Sequence, residues 1–533
     1  MTILLTALNA SYVHTNAAVR CIASVLAARG ETVRILERSL KDRTREILHE
    51  LYAADADVYG FSVYIWNREA VLALASQLRL LRPAAKIVLG GPEISYEDES
   101  FFAAHTYIDN ILAGEGETVF PAFLDNPPPR HTILCGEPYG DFVNTGILYD
   151  LYPPGAHSGG ILYYESARGC PYRCSYCLSS AHRGVRAKSA AVTIAQLREF
   201  EKMDNVRIIK FVDRTFNFDR RRADQIWRAL SGTEFTKTYH FEICADLLDE
   251  ENFAVLAAIS PGKIQLECGV QSTNPATLAA IGRTSDPAKI LAALARIRQM
   301  GNIHLHADLI AGLPHESWER FAQSFDETFP VCHKLQLGFL KLLPGTSLRR
   351  DCESMEFAYS PRPPYEILHS DALSYEELYR LHGIDDVLDR FSTDGKFAYT
   401  MDFLLEREPS PFAFFAGLAD SIPTLRALSQ REAVLALREF ALCRGADAQR
   451  LDARLTLDWM LSEAGSPPYP LNVRRAPKEA ELRRVYCEQH PGTNPGSFAV
   501  LQLADLGTVQ IDRTSHTVYF ETQPNPHKTG GTK

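Results

Sequence analysis

Three cysteines, Cys170, Cys174 and Cys177, stand in the run Ala-Arg-Gly-Cys-Pro-Tyr-Arg-Cys-Ser-Tyr-Cys-Leu. Thiolate sulfur is a soft ligand that suits zinc and iron–sulfur clusters. A structural zinc site closes with four ligands, and no fourth cysteine or paired histidine follows here at zinc-finger spacing. On a cubane of four irons, the same thiolates would leave one iron open to bind something else. The other reading is three small buried hydrophobes that happen to cluster. The spacing supports a cluster and says nothing of a substrate.

The chain that carries this run has 533 residues, 46% hydrophobic and 23% charged, enough for two to four domains with their own cores. Its formal net charge of -10 argues against bulk nucleic acid as a partner. Eleven scattered cysteines, an odd number, do not form a disulfide framework and suit a reducing, cytoplasmic setting. The opening Met-Thr-Ile-Leu-Leu-Thr-Ala-Leu-Asn lacks a basic signal-peptide region, and no charge-free apolar stretch of about twenty residues predicts a membrane span.

Short apolar runs alternate with amphipathic ones over the first 125 residues. Strands are expected at 3–7, 32–37, 58–64, 86–89 and 108–113, with helices at 17–29, 44–52 and 69–81. Strict β/α alternation predicts a parallel, doubly wound sheet, whose ligands bind beyond the carboxyl ends of the strands. The segments falling there are 9–15, 62–67, 90–95 and 114–117. A glycine pair such as Gly90-Gly91 makes either a tight turn or a close approach to a bulky ligand. Pro127-Pro128-Pro129 then opens a stretch, 126–160, that reads as a linker ending near Tyr152-Pro153-Pro154-Gly155.

A second alternation follows over 161–358. Strands are expected at 162–166, 207–212, 240–245, 263–269, 304–310 and 334–340, six βα units where a full barrel has eight. The cysteine run sits directly after the first of them, at the face where barrels place their chemistry. Residues 359–521 read as mainly helical and end in a β-hairpin formed by 498–504 and 508–520. Residues 522–533 read as a disordered tail.

The cysteine spacing, the preceding glycine and the aromatic Tyr176 resemble the radical S-adenosylmethionine (radical SAM) enzymes, and six βα units match their partial (β/α)6 barrel. The resemblance implies that Cys170, Cys174 and Cys177 hold a [4Fe–4S] cluster. The open iron would chelate S-adenosylmethionine, which one electron cleaves to a 5′-deoxyadenosyl radical. Tyr176 would pack beside the adenine, or serve as plain core. Asp213, after the second strand, would meet the methionyl ammonium where these families often carry Gly-Gly-Glu, or would be an ordinary loop aspartate. Glu267 and Gln271 suit ribose hydroxyls and the methionyl group, Arg283 its carboxylate, and Gly312 a close approach of the adenine. Leu343-Pro344-Gly345-Thr346 resembles the closing motif of these families. His304 and His306 share one side of their strand and line the barrel interior or fill the core. Cys244 and Cys268 read as structural cysteines.

The first domain narrows the resemblance to the cobalamin-binding subclass, and further to the group with a C-terminal DUF4080 domain. This rests on Leu8-Asn9-Ala10-Ser11-Tyr12-Val13-His14-Thr15-Asn16, Phe61-Ser62-Val63-Tyr64-Ile65-Trp66-Asn67, Gly90-Gly91-Pro92-Glu93 and Gly114-Glu115-Gly116-Glu117. It implies cobalamin contacts at Asn9, Tyr12, His14, Ser62, Trp66, Gly90, Gly91, Pro92, Glu93, Gly114, Glu115, Gly116 and Glu117. The Asp-x-His-x-x-Gly of histidine-ligating cobalamin domains is missing, so His14 is expected to contact a corrin amide more than to ligate cobalt. The implied activity is methyl transfer to an unactivated carbon. Cyclisation, rearrangement or oxidation without methyl transfer, a non-catalytic cobalamin sensor, and a first domain that binds substrate in place of corrin are the alternatives. The implied partners are a small-molecule or peptide substrate and an electron donor such as flavodoxin or ferredoxin.

Overall fold

The computed structural model describes residues 1–143, 160–181, 184–422, 428–463, 465–471, 476, 479–489 and 497–520. The first sheet is built from β1 (Thr2–Asn9), β2 (Thr32–Ser39), β3 (Val58–Ser62), β4 (Lys86–Gly90), β5 (Asn110–Ala113) and β6 (Thr132–Cys135). All are parallel, in the order β2-β1-β3-β4-β5-β6. Alternate strand residues feed opposite faces, as a two-residue period requires. Leu4, Tyr59, Phe61, Ile87, Leu89 and Ile111 pack on one side, and Ile3, Leu5, Val58, Val88 and Leu112 on the other. Strand β6 lies inside the stretch expected to be a linker. Its four residues, Thr-Ile-Leu-Cys, follow the proline triple and pair with β5, so the sheet gains a sixth strand. The remainder of the expected linker from 144 to 159, and the expected tail at 522–533, lie outside the described residues.

The second sheet contains β7 (Ile161–Tyr164), β10 (Ile208–Phe211), β11 (Thr238–Ile243), β12 (Ile264–Gln271), β13 (His304–Ala311) and β14 (Lys334–Phe339), again all parallel and in sequence order. Between its first two strands a short antiparallel pair, β8 (Ala167–Gly169) and β9 (Val185–Ala187), frames the cysteine run. Residues of β12 alternate between fully buried Ile264, Leu266, Cys268 and Val270, facing the outer helices, and partly exposed Gln265, Glu267, Gly269 and Gln271, facing inward.

The helices beyond residue 374 share this second core. Phe412 and Phe415, on the helix Pro411–Ser421, pack 5.5 and 6.0 Å from Phe325 of the barrel helix Trp318–Thr328. Asp326 accepts hydrogen bonds from Ser410 Oγ and the Phe412 N–H, so the barrel helix caps the C-terminal one. The expected terminal hairpin is a three-stranded antiparallel sheet, β17 (Phe498–Leu503), β18 (Gly507–Asp512) and β19 (Thr517–Phe520), after the two-stranded pair β15 (Ala358–Tyr359) and β16 (Ile367–His369). The polar run Arg-Thr-Ser-His at 513–516 turns what reads as one long strand into two. Among the described residues no helix is long and apolar enough to cross a membrane.

Candidate active site

The cysteine run is pinned on both flanks. The Ser175 N–H donates to Ile281 O, and Ser175 O accepts from the Leu348 N–H, both at 2.9 Å. The Cys177 N–H closes a turn onto Cys174 O, and Cys170 Sγ lies 3.5 Å from Thr215 Oγ1. None of the chain's cysteines is in a disulfide. Burial raises the Cys174 thiol, and the Arg283 guanidinium opposes that rise. Tyr176 is partly buried against the barrel core. Arg283, after β12, donates to Gly269 O and stays charged despite burial because Tyr176, Cys244 and Cys174 lie beside it.

Asp213 does not open onto this space. It is fully buried, and its carboxylate accepts from the Ser166 N–H, Ser166 Oγ and the Ala167 N–H. Arg222 completes the network by donating to Ser166 Oγ at 2.6 Å. The carboxylate expected to meet an ammonium therefore fixes the turn from β7 into the cysteine run. Gly312, at φ +85°, opens onto Ile367 of β16, which a Cβ would meet at 2.8 Å, so the close approach it allows is made by protein. Cys268 faces the outer helices, and Cys244 Sγ donates to Asp246 Oδ1 at 2.9 Å, with burial raising its thiol to about 11.

The inward faces of the strands carry charge. Register places Lys210, His240, Gln265 and His304 side by side, and above them Glu242, Glu267, His306 and Lys334. Glu267 is already partnered, with its Oε2 3.1 Å from His240 Nε2 and 3.5 Å from Lys210 Nζ. Burial alone would raise this carboxyl, but the hydrogen bond from His240 and the Lys210 charge hold it at about 2. At Glu242 and Asp308 the charges of Arg214, Lys210 and Lys334 do not offset burial. Burial, with neighbouring carboxylates adding to it, pushes Glu242 up to about 7 and Asp308 up to about 8. His304 and His306 do line the interior, with ring centroids 4.8 Å apart.

The carboxyl rim of the first sheet meets the barrel at this same end. His14 Nδ1 is 2.6 Å from the hydroxyl of Tyr163 on β7. Arg168, two residues before Cys170, binds Glu115 at 2.7 Å and also Glu117 and Glu165, while Arg186 binds Glu115. The Arg168 guanidinium lies over the Phe142 ring. Glu93 accepts from Arg68 and from the hydroxyl of Tyr365, beyond the barrel. The carboxylates of Glu93, Glu115 and Glu117, expected at a ligand, thus lock the domains together. Gly91, at φ +113°, is needed because a Cβ would come within 2.5 Å of Val63 O. Gly116 likewise packs against Ile22, and Ser62 O accepts from Asn67. Asn9 donates to His14 O and Glu37, shaping the first rim loop. What the rim leaves open is apolar and aromatic: Tyr12, Val13 and Trp66, the last stacked on Tyr64 at 4.4 Å and 48% exposed.

Three family models match side by side. A B12 binding domain covers residues 3–124, the radical SAM superfamily covers 164–328, and a protein of unknown function, DUF4080, covers 353–528. The chain is a cobalamin-binding radical SAM protein with a C-terminal DUF4080 domain. It is 26% identical over 317 residues to a 2-(S-pantetheinyl)-carbapenam-3-carboxylate methyltransferase of Streptantibioticus cattleyicolor, a match covering 50% of this chain and 44% of that one. It is 23% identical over 350 residues to an uncharacterized methyltransferase of Pyrococcus horikoshii, covering 59% and 74%. The chain therefore spans less than half of the first relative. The fold is shared with TsrM from Kitasatospora setae, whose structure holds cobalamin and a [4Fe–4S] cluster: TM-score 0.55, 15% identity, 80% of this chain and 99% of that one. It is shared also with OxsB bound to aqua-cobalamin, at TM-score 0.52 and 16% identity over 92% and 75%.

The side chains of the radical SAM barrel fit S-adenosylmethionine. Arg283 Nε, Gln271 Oε1 and Asp308 Oδ1 are buried with no hydrogen-bond partner among the described residues. A buried polar atom without a partner costs about 1–3 kcal/mol. One cation, one amide acceptor and one carboxylate complement a carboxylate, hydroxyls and an ammonium or sulfonium. Three thiols of soft character fit an iron–sulfur cluster. Asp308 and Glu242 escaped the sequence reading as site residues. Their signal was the alternation of polar with aromatic or aliphatic residues in Thr-Tyr-His-Phe-Glu-Ile and His-Leu-His-Ala-Asp-Leu, unusual in a parallel sheet covered on its outer face.

Proposed function

We propose that the chain is a cobalamin-dependent radical SAM enzyme that transfers a methyl group to an unactivated carbon. The observation that carries this reading is the joint between the cysteine run and the cobalamin rim, made by Arg168 with Glu115 and Glu117 and by His14 with Tyr163. When bound, the cluster with S-adenosylmethionine supplies a radical initiator and cobalamin supplies a methyl carrier. Cys170, Cys174 and Cys177 hold the cluster. Arg283 takes the methionyl carboxylate, Gln271 and Asp308 the ribose hydroxyls and cationic groups, and Glu242 lies level with Glu267 beneath them. Tyr176 packs beside the adenine. Tyr12, Trp66 and His14, with the backbone of 90–93 and 114–116, form the corrin platform, while Asn9 and Ser62 shape it.

The substrate is a small molecule or a peptide, the electron donor a low-potential protein such as flavodoxin or ferredoxin, and the setting cytoplasmic, in keeping with eleven cysteines outside any disulfide. Both named relatives are methyltransferases, which supports methyl transfer over other radical chemistry. Product analysis with methyl-labelled S-adenosylmethionine tests it. Label in the product is expected; 5′-deoxyadenosine formed without label in the product would favour rearrangement, cyclisation or oxidation.

A further inference from the structure

We infer that His240, Glu267 and His306 form a binding site for a divalent transition-metal ion on the inner face of the barrel, separate from the three cluster cysteines. They stand on three adjacent strands, β11, β12 and β13, and all face inward. Their ligand atoms lie within 4.8 Å of one another. The 3.1 Å between His240 Nε2 and Glu267 Oε2 is the spacing of neighbouring donors on one ion with bonds of about 2.1 Å. The rings of His240 and His306 are 5.8 Å apart and inclined at 68°, so their nitrogens can converge on one point.

Two imidazoles and one carboxylate are the donor set of borderline divalent ions such as Zn²⁺, and three protein ligands leave coordination positions open. His240 is 4% exposed, so packing fixes its ring with Nε2 turned to Glu267. The groups facing the triad are Glu242, Asp308, Lys210, Lys334 and His304. Lys210 holds Glu267 at 3.5 Å but is one-third exposed, and its long side chain can withdraw as an ion enters. Because the three side chains face inward, an ion held by them lies on the lumen side of the strands, where a substrate oxygen or nitrogen can reach it.

The test uses the full-length chain with its cluster reconstituted and no cobalamin added. After exposure to Zn²⁺ and desalting, about one zinc per chain is expected, with unchanged iron content. The same zinc is expected in a Cys170→Ala/Cys174→Ala/Cys177→Ala variant, which removes the thiolates as a competing site. His306→Ala and the isosteric Glu267→Gln should weaken retention by at least about 100-fold while iron content holds. Should His306→Ala fail to fold, Glu267→Gln decides. Co²⁺ in the cysteine-free variant should show ligand-field bands without thiolate charge transfer. No zinc in the cysteine-free variant, or zinc retained by Glu267→Gln, overturns the site. Neither outcome touches S-adenosylmethionine cleavage, which stands or falls on the cluster.

Discussion

Arg168 and Glu115 are joined at 2.7 Å across the boundary between the cobalamin domain and the barrel, and Arg168 lies two residues before Cys170. One guanidinium thus ties the rim of the first sheet to the strand that leads into the cysteine run. Its donors are spread over Glu115, Glu117 and Glu165, and its face rests on Phe142.

Removing that cation leaves three partly buried carboxylates without their common partner. Arg168→Ala is expected to destabilise the chain by about 3 kcal/mol, read by chemical denaturation. Glu115→Gln, which also releases Arg186, should cost less and lower cobalamin retention before iron content. Equal stability of Arg168→Ala and the parent would remove this joint from the account.

Iron binding should follow the cysteine run alone. Cys170→Ala, Cys174→Ala and Cys177→Ala are each expected to lose most of the reconstituted iron and its visible absorption. Cys135→Ala and Cys443→Ala, both exposed, should retain them. Iron analysis after anaerobic reconstitution separates the two groups.

The raised carboxyls make ligand binding depend on pH. Free Asp308 and Glu242 titrate at about 8 and about 7, so at neutral pH they hold protons that the unfolded chain would have lost. The ligand-free fold should therefore lose stability as pH rises from about 4 to about 8. A sulfonium or ammonium at the site favours the ionised forms, so S-adenosylmethionine should bind more tightly over the upper part of that range and release protons on binding. Calorimetry in buffers of different ionisation enthalpy measures the protons, and Asp308→Asn should reduce them.

The aromatic platform should serve cobalamin and not the cluster. Trp66 is stacked on Tyr64 and half exposed, so Trp66→Ala should weaken cobalamin retention about tenfold with iron content unchanged. Absorbance of protein purified with cobalamin supplied reads both quantities.

Much of this architecture was legible before the structure. Apolar runs such as Ile-Leu-Leu-Thr-Ala-Leu and Val-Tyr-Gly-Phe-Ser mark strands buried on both faces, and their alternation with helices dictates two parallel sheets. The cysteine spacing pointed to an iron–sulfur cluster because so few chemistries want it. What escaped is what depends on partners distant in sequence. Asp213 reads as the acceptor for a methionyl ammonium or as an ordinary loop aspartate, but Ser166, 47 residues earlier, claims it. Glu115 and Glu117 stand on the right rim, yet arginines from the barrel take them. Strand alternation shows that His240, Glu267 and His306 face one way, but only the register of three strands brings them to one point.

The most direct measurement of the central claim is 5′-deoxyadenosine formation by the reconstituted full-length protein with S-adenosylmethionine and a strong reductant. The account predicts its accumulation with the parent protein and none with Cys170→Ala. Equal, background amounts from the two proteins, with the cluster present in the parent, would contradict it.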